Sequence, residues 1–439
     1  MEELFNWIYE LNKKTHTKIT KTSLNKDTFW FYDDEKGIIR NKNNSFFSIA
    51  GIKGYINNQY IEQPIIIQKE IGYLGIISKD FNGVTKYLMQ AKIEPGNINC
   101  IQISPTIQAT KSNFTQRHGG NKPPYLEYFI NAKRYEIIAD QIQSEQSSRF
   151  YGKRNRNMII KVQEDVPILN DRFKWMTLNE IKELMKHKNL VNMDTRTVLS
   201  CLPLMSNRID KIYKKYFQEN PHFYNSVFSK NYLSEITELY HKINNYKMFN
   251  NNQKDIVRLD ELLLWNITEN GIFCKHDFPY QVIYCDIEIE GREVTRWTQP
   301  LFQANGMALF GLIRTVYQNE LKYLIKITPE IGCFDDIEIG PTIQLETNSL
   351  SNKDKIEELF FIKLNSSKNI AFDSILSEEG GRFYHEENRN IIIDIDYDEL
   401  PKLPEEYMLV SYNTLNHLNL INNCLNIQLR NLLSVMEVE

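Results

Sequence analysis

The 439-residue sequence lacks most of the signatures that tie a chain to one chemistry. No GxGxxG opens a helix, and no GxxxxGK is followed by Ser or Thr, which argues against a nucleotide cofactor in a Rossmann site. HExxH is missing and the eight histidines show no ligand-like cluster, so metal catalysis loses support. GxSxG is missing too, which counts against serine hydrolysis. The cysteines (Cys100, Cys201, Cys274, Cys285, Cys333 and Cys424) form no CxxC pair. They read as reduced core thiols of a cytoplasmic protein rather than a disulfide framework. No apolar run reaches about 18 residues, so no membrane span is expected. The opening MEELFNWIYELNKKT carries acids ahead of its apolar residues and reads as an amphipathic helix, not a signal peptide. A net charge of -4 gives no reason to expect nucleic acid as a partner.

What is present is a chain long enough for two or three domains, and a repeat. An offset of 236 places Gln63-Pro64 on Gln299-Pro300, Gly75 on Gly311, and Lys86-Tyr87-Leu88 on Lys322-Tyr323-Leu324. The same offset places Glu94 on Glu330, Gly96 on Gly332, and Pro105-Thr106-Ile107-Gln108 on Pro341-Thr342-Ile343-Gln344. At 233, Arg149-Phe150-Tyr151 falls on Arg382-Phe383-Tyr384; near 234, Arg196 meets Arg430. The reading is an α+β protein of two tandem copies, 1–205 and 206–439, with 206–268 as a helical bridge. Residues 1–29 read as a helix and a linker. Short apolar runs between 30 and 108 read as strands, 121–143 as one long helical pattern, 157–162 as a strand, and 177–268 as mostly helical. A second β-rich region is expected from about Gln281.

The densest polar chemistry lies in Met89–Gly120, MQAKIEPGNINCIQISPTIQATKSNFTQRHGG. Residues kept in both copies are most simply scaffold; residues polar in one copy and altered in the other are better candidates for chemistry. Lys92 becomes Thr328, Ser104 becomes Gly340, and Arg117-His118-Gly119-Gly120 has no counterpart. His118, in a glycine-flanked loop, is the first candidate for acid–base work. Glu94 is either its partner or a carboxylate capping a turn. Lys92 shares a strand face with Glu94. Gln102, Ser104, Thr106 and Gln108 alternate with isoleucines, a row that suits ligand hydroxyls or equally the polar face of a half-buried strand. Tyr151-Gly152-Lys153-Arg154-Asn155-Arg156 in copy one faces Tyr384-His385-Glu386-Glu387-Asn388-Arg389 in copy two. Two cations become two carboxylates, so the first copy is the better anion site; a solvated turn is the alternative.

Three stretches carry a family resemblance: the Met89–Gly120 run, RFYGKRNRNMI (149–159) and REVTRWTQPL (292–301). The chain resembles the NDP-hexose 2,3-dehydratases along essentially its whole length. That resemblance implies two Nudix-like α/β/α domains born of duplication, a homodimer, and no cofactor or metal. It implies a dTDP-linked 4-keto-6-deoxyhexose as substrate, losing its C2 hydroxyl, and a 3-ketoreductase that receives the product. On it, His118 and Glu94 divide the base and acid roles, and Lys92 stabilises charge on the C4 oxygen. Arg154 and Arg156, with Arg149, Tyr151, Lys153, Arg117 and Gly119 nearby, would hold the diphosphate. Asn113 and Thr115 would bond sugar or base, and Trp297 would stack on a ring or sit in the core. Two alternatives stay open: a non-catalytic nucleotide-sugar binding protein, and a Nudix-type hydrolase, which the missing acidic box disfavours.

Overall fold

The structure, a computed structural model, describes residues 1–24, 29–111, 122–203, 218–290, 294–347 and 354–436. The first half runs α1 (Glu2–Lys14), β1 (Thr17–Thr22), β2 (Trp30–Asp33), β3 (Ile38–Asn41), β4 (Ser48–Ile56), β5 (Gln59–Ile67), β6 (Gly72–Phe81), β7 (Val84–Ile93), β8 (Ile101–Ser104) and β9 (Ile107–Ala109). It continues with α2 (Leu126–Ile130), β10 (Glu136–Ser144), β11 (Arg154–Lys161), β12 (Phe173–Thr177), α3 (Leu178–Met185) and α4 (Met193–Ser200). The second half runs α5 (Pro221–Val227), α6 (Tyr232–Phe249), β13 (Gln253–Val257), β14 (Trp265–Thr268), β15 (Gly271–Cys274), β16 (Tyr280–Ile289), β17 (Arg296–Ala304), β18 (Ala308–Tyr317) and β19 (Glu320–Pro329). It ends with β20 (Ile337–Gly340), β21 (Ile343–Leu345), α7 (Lys355–Ser366), β22 (Ile370–Ser377), β23 (Glu387–Asp394), β24 (Tyr407–Ser411), α8 (Tyr412–Leu418) and α9 (Ile427–Val435).

The repeat read from sequence reappears as topology. One seven-stranded sheet has the order β10-β11-β6-β7-β12, with β8 on β7 and β9 on β6; the other has β22-β23-β18-β19-β24, with β20 on β19 and β21 on β18. In each, one central pair is parallel (β11–β6, β23–β18) and the others are antiparallel. The central strand β6 buries Leu74, Ile76 and Ile77 in succession, as a strand covered on both faces must. One face of each large sheet lies on a core shared by both halves, where Ile76, Met89 and Ala91 join the same cluster as Phe310, Leu312 and Ile325. The other faces carry α2, through Phe129, and α7, through Phe360.

Two smaller sheets exchange a strand. β1 precedes the first half but pairs antiparallel with β16 of the second, from Thr17 opposite Ile289 to Thr22 opposite Tyr284. β13 precedes the second large sheet but pairs with β4 of the first, from Gln253 opposite Tyr55 to Val257 opposite Gly51. The segment expected to be a linker is therefore a strand, and the chain turns β-rich at Gln253 rather than Gln281. The helices described between 206 and 268 are α5 and α6. The helix expected over 121–143 is short α2 followed by strand β10. Tyr135, Ile138, Ala139 and Ile142 follow helical spacing in sequence, but they span a strand whose register shifts by one residue at a bulge between Ile137 and Ala139. The end of the region read as strands, 100–108, holds two short ones, β8 and β9. Among the described residues all six cysteines are unpaired, and no helix is long and apolar enough to cross a membrane.

Candidate functional site

A cavity of about 800 Å³ opens between the end of β7, β9, the start of α4 and the 145–155 segment of the first half, with β17 and the 379–382 turn of the second. Its floor is a chain of side chains running from α4 to β7. Asn192 caps α4 by accepting from the Thr195 amide at 2.9 Å, and its own amide donates to Gln108 Oε1 at 3.2 Å. Gln108 Nε2 donates to Glu94 Oε1 at 2.9 Å, and Lys92 Nζ lies 3.3 Å from the same oxygen. Glu94 is 4% exposed, and its other oxygen has no hydrogen-bond partner among the described residues. One cap thus orients a buried carboxylate and leaves a lone-pair edge unused.

The walls carry opposed charges. Lys153 Nζ donates to the Glu70 carbonyl (2.6 Å), Asn155 Oδ1 (2.8 Å) and the Arg154 carbonyl (3.2 Å). Burial pulls its amine down to about 8 against the pull of Glu145. Burial also pushes the Glu145 carboxyl up, opposed first by Lys153; Asn155 Nδ2 donates to it at 2.5 Å. From the second half, Arg382 donates to Glu379 Oε1 at 3.0 Å and Gln68 Oε1 at 2.9 Å, with its guanidinium 4.4 Å from the Phe46 ring centre. Burial carries Glu379 to about 7, against Arg382 and with help from Glu94 and Glu145. Trp297 donates its indole N–H to Gln299 Oε1 at 2.8 Å.

Of the residues singled out from sequence, Lys92, Glu94, Thr106, Lys153 and Trp297 line this cavity, as does Gln108. Thr106 is tied to backbone: its hydroxyl accepts from the Ile77 amide at 2.9 Å and donates to the Leu88 carbonyl. Thr342 does the same with Ile313 and Leu324, which marks Thr106 as scaffold. Gln102 and Ser104 face elsewhere; Gln102 is buried between Asn99 and Ser377, and Ser104 bonds the Pro105 carbonyl. Arg149 reaches into the other half, 3.0 Å from Glu346, 3.7 Å from Glu386 and 4.0 Å above the Tyr280 ring. Arg154 stacks on Phe334 at 3.9 Å, Arg156 is held by both Asp140 oxygens at 2.6 Å, and Tyr151 is 36% exposed. None of these last four lines the cavity, so of the diphosphate cations expected at 149–156 only Lys153 does. Asn113, Thr115, Arg117, His118 and Gly119 lie outside the described residues.

Sequence reading missed Asp194, Glu145, Glu379 and Arg382, which all line the cavity. A signal for Asp194 existed. At an offset of 234, Asn192 and Arg196 fall on Asn426 and Arg430, while Asp194 falls on Gln428. Arg382 gave no such signal, because Arg149 repeats it.

The second half holds an altered version of the same locus. Gln344 Nε2 donates to Glu330 Oε1 at 3.0 Å, and Asn426 Nδ2 to Gln344 Oε1 at 2.9 Å. Thr328, Gln428 and Glu386 stand where the first half has Lys92, Asp194 and Lys153. Burial pushes Glu330 to about 7, and Glu338 and Glu386 to about 8. The loci are stitched together by backbone. Gly96 N donates to Gly380 O at 2.7 Å, and Gly332 N to Ser147 O at 3.0 Å. A Cβ on Gly96 would meet Phe383 O at 1.6 Å, and one on Gly332 would meet Phe150 O at 2.0 Å. These two matched glycines are required by close approach.

A two-part α+β chain with a charged cavity between its halves finds matching relatives. The family described as NDP-hexose 2,3-dehydratase matches residues 1–202 and 236–436, which is most of the chain in two blocks. A dTDP-4-dehydro-6-deoxy-alpha-D-glucopyranose 2,3-dehydratase of Saccharopolyspora spinosa is 34% identical over 415 residues, 92% of this chain and 85% of that protein. Proteins of the same name from Streptomyces violaceoruber and Amycolatopsis orientalis are 33% and 31% identical, over 98% and 92% of this chain and 95% and 83% of theirs. The chain belongs to the NDP-hexose 2,3-dehydratase family.

Proposed function

We propose that the protein removes the C2 hydroxyl of a dTDP-linked 4-keto-6-deoxyglucose and delivers a 3,4-diketo-2,6-dideoxy sugar, acting as a carbon–oxygen lyase. The observation that carries this reading, beyond the relatives' names, is the buried Glu94 carboxylate beside Lys92 at the base of the cavity. The C4 ketone acidifies the proton on C3. A carboxylate with an unused oxygen is placed to take it. The Lys92 ammonium supplies positive charge for the enolate that forms. Glu94 takes the base role in this reading; His118, expected from the sequence to share the acid–base work, lies outside the described residues. The C2 hydroxyl then leaves as water, and the resulting enol tautomerises to the diketone. Lys153, Arg382, Arg172 and Arg296, all on the cavity wall, give a diphosphate cationic partners.

We further propose two Nudix-like domains, 1–205 and 206–439, a homodimer, a cytoplasmic location, and a 3-ketoreductase to consume the reactive diketone. The test is incubation of the purified chain with the dTDP-4-keto sugar in deuterated buffer, followed by mass spectrometry. Loss of one water, or release of free dTDP from an unstable product, is the expected result. Binding without any change to the sugar would favour a non-catalytic nucleotide-sugar protein.

A further inference from the structure

Asp194 has a setting unlike that of the cavity's other carboxyls. It sits in the first turn of α4, is 2% exposed and lines the cavity. Its Oδ1 has no hydrogen-bond partner among the described residues. Glu94 has Lys92 at 3.3 Å, Glu379 has Arg382 at 3.0 Å, and Glu145 has the Asn155 amide at 2.5 Å. For Asp194 no such side-chain contact, with a cation or an amide, is found among the described residues. The charged groups that act on it are Glu145, Glu379 and Glu94, which disfavour its ionised form, and Lys92, Arg196 and Arg430, which favour it. Burial is the largest influence and acts with the three carboxylates, so the group is held protonated well above the usual carboxylate range. The second half carries a neutral amide, Gln428, at the matching place.

Resting on the dehydratase reading, we propose that Asp194 is the proton donor to the departing C2 hydroxyl, with Glu94 as the base at C3. The cavity then holds two carboxyls in different surroundings, Glu94 beside Lys92 and Asp194 with an unpartnered oxygen among the described residues, a division that suits a base and an acid. The atoms balance. Glu94 takes the C3 proton, and the electron pair of that bond forms the C3=C4 enolate. As the C4 carbonyl re-forms, the C2=C3 bond forms and the C2–O bond breaks. Asp194 gives its proton to the leaving oxygen, and water departs. The enol at C3 returns its hydroxyl proton to Asp194, and C2 takes the proton held by Glu94. Both carboxyls regain their starting states and nothing is oxidised or reduced.

The test uses the full chain, the dTDP-4-keto-6-deoxy sugar, and two readouts: water loss, and deuterium uptake at C3. In Asp194→Asn, water loss falls by about 10²–10⁴-fold while C3 exchange, dTDP binding and thermal unfolding stay near wild type. Asp194→Glu restores part of the water loss. Water loss within about tenfold of wild type in Asp194→Asn, or loss of exchange together with dehydration in the folded variant, overturns the assignment. Should Asp194→Asn fail to fold, the wild-type pH profile decides. The ratio of water loss to C3 exchange falls as pH rises through the donor's titration above the usual carboxylate range, and a ratio that shows no such fall across the pH range where the chain stays folded overturns the proposal. A wild-type chain that neither exchanges nor dehydrates removes the dehydratase reading itself, a different failure.

Discussion

The two halves share one framework and differ in how charge is distributed over it. Both hold a Glu–Gln–Asn chain ending at a helix cap, Glu94–Gln108–Asn192 and Glu330–Gln344–Asn426. In the first, Lys92 and Lys153 face acids across an open cavity. In the second, Thr328 and Glu386 replace them, and Arg149 fills the space between Glu346 and Glu386. The geometry is thus kept in both halves while three positions differ in charge: Lys92, Lys153 and Asp194 in the first, Thr328, Glu386 and Gln428 in the second. The glutamate is common to both halves; what sets the first apart is the cation beside it and Asp194, whose Oδ1 has no partner among the described residues.

The largest expected effect is the one that breaks this comparison directly. Glu94→Gln lowers turnover by about 10³-fold or more and abolishes C3 exchange, whereas Glu330→Gln leaves turnover within a few-fold. Steady-state rates of both variants with the dTDP-4-keto sugar give the answer, and equal losses would make the chain purely structural. Next comes the shared framework. Gly96→Ala and Gly332→Ala each push a methyl into the other half's backbone, and each costs about 3 kcal/mol or more. Urea unfolding should show the two penalties to be alike, since here the halves are equivalent.

The smallest effect sharpens the electrostatic contrast. Glu338, which accepts from Ser144 Oγ at 2.9 Å, has its carboxyl raised by burial to about 8. The folded state holds that proton where the unfolded chain releases it near pH 4.3. Stability is therefore lost progressively as pH rises from about 4.5 to 8. Glu338→Gln keeps an acceptor for Ser144 and removes the titration. Its unfolding should match wild type at pH 5 and lie about 1–3 kcal/mol higher at pH 8.

The sequence made the duplication legible because identical residues recur at nearly constant offsets, and close backbone approach keeps Gly96 and Gly332 in register. Lys92 and Glu94 were legible because the copies differ around them. Asp194 obeyed the same criterion and went unread, being some hundred residues away in a segment compared between the copies only at Arg196 and Arg430. The β10 bulge disguised a strand as a helix. The β1 segment, Thr-Lys-Ile-Thr-Lys-Thr, has one apolar residue and resembles a linker; nothing local reports a partner more than 250 residues away. The roles expected for Arg149 and Arg156 failed to predict cavity positions because each is held by carboxylates on another strand or in the other half.

The exchanged strands set a timetable. Thr17–Thr22 is made early, yet Tyr284–Ile289, against which it lies, follows more than 250 residues later. At about 5–20 residues per second, a ribosome leaves β1 without its neighbour for roughly 13–54 s. For most of that interval the nascent first half has only its own strands to close its small sheet, since β13 follows β4 by about 200 residues. Both small sheets therefore close only after the second half emerges, each completed by a strand from outside its own half.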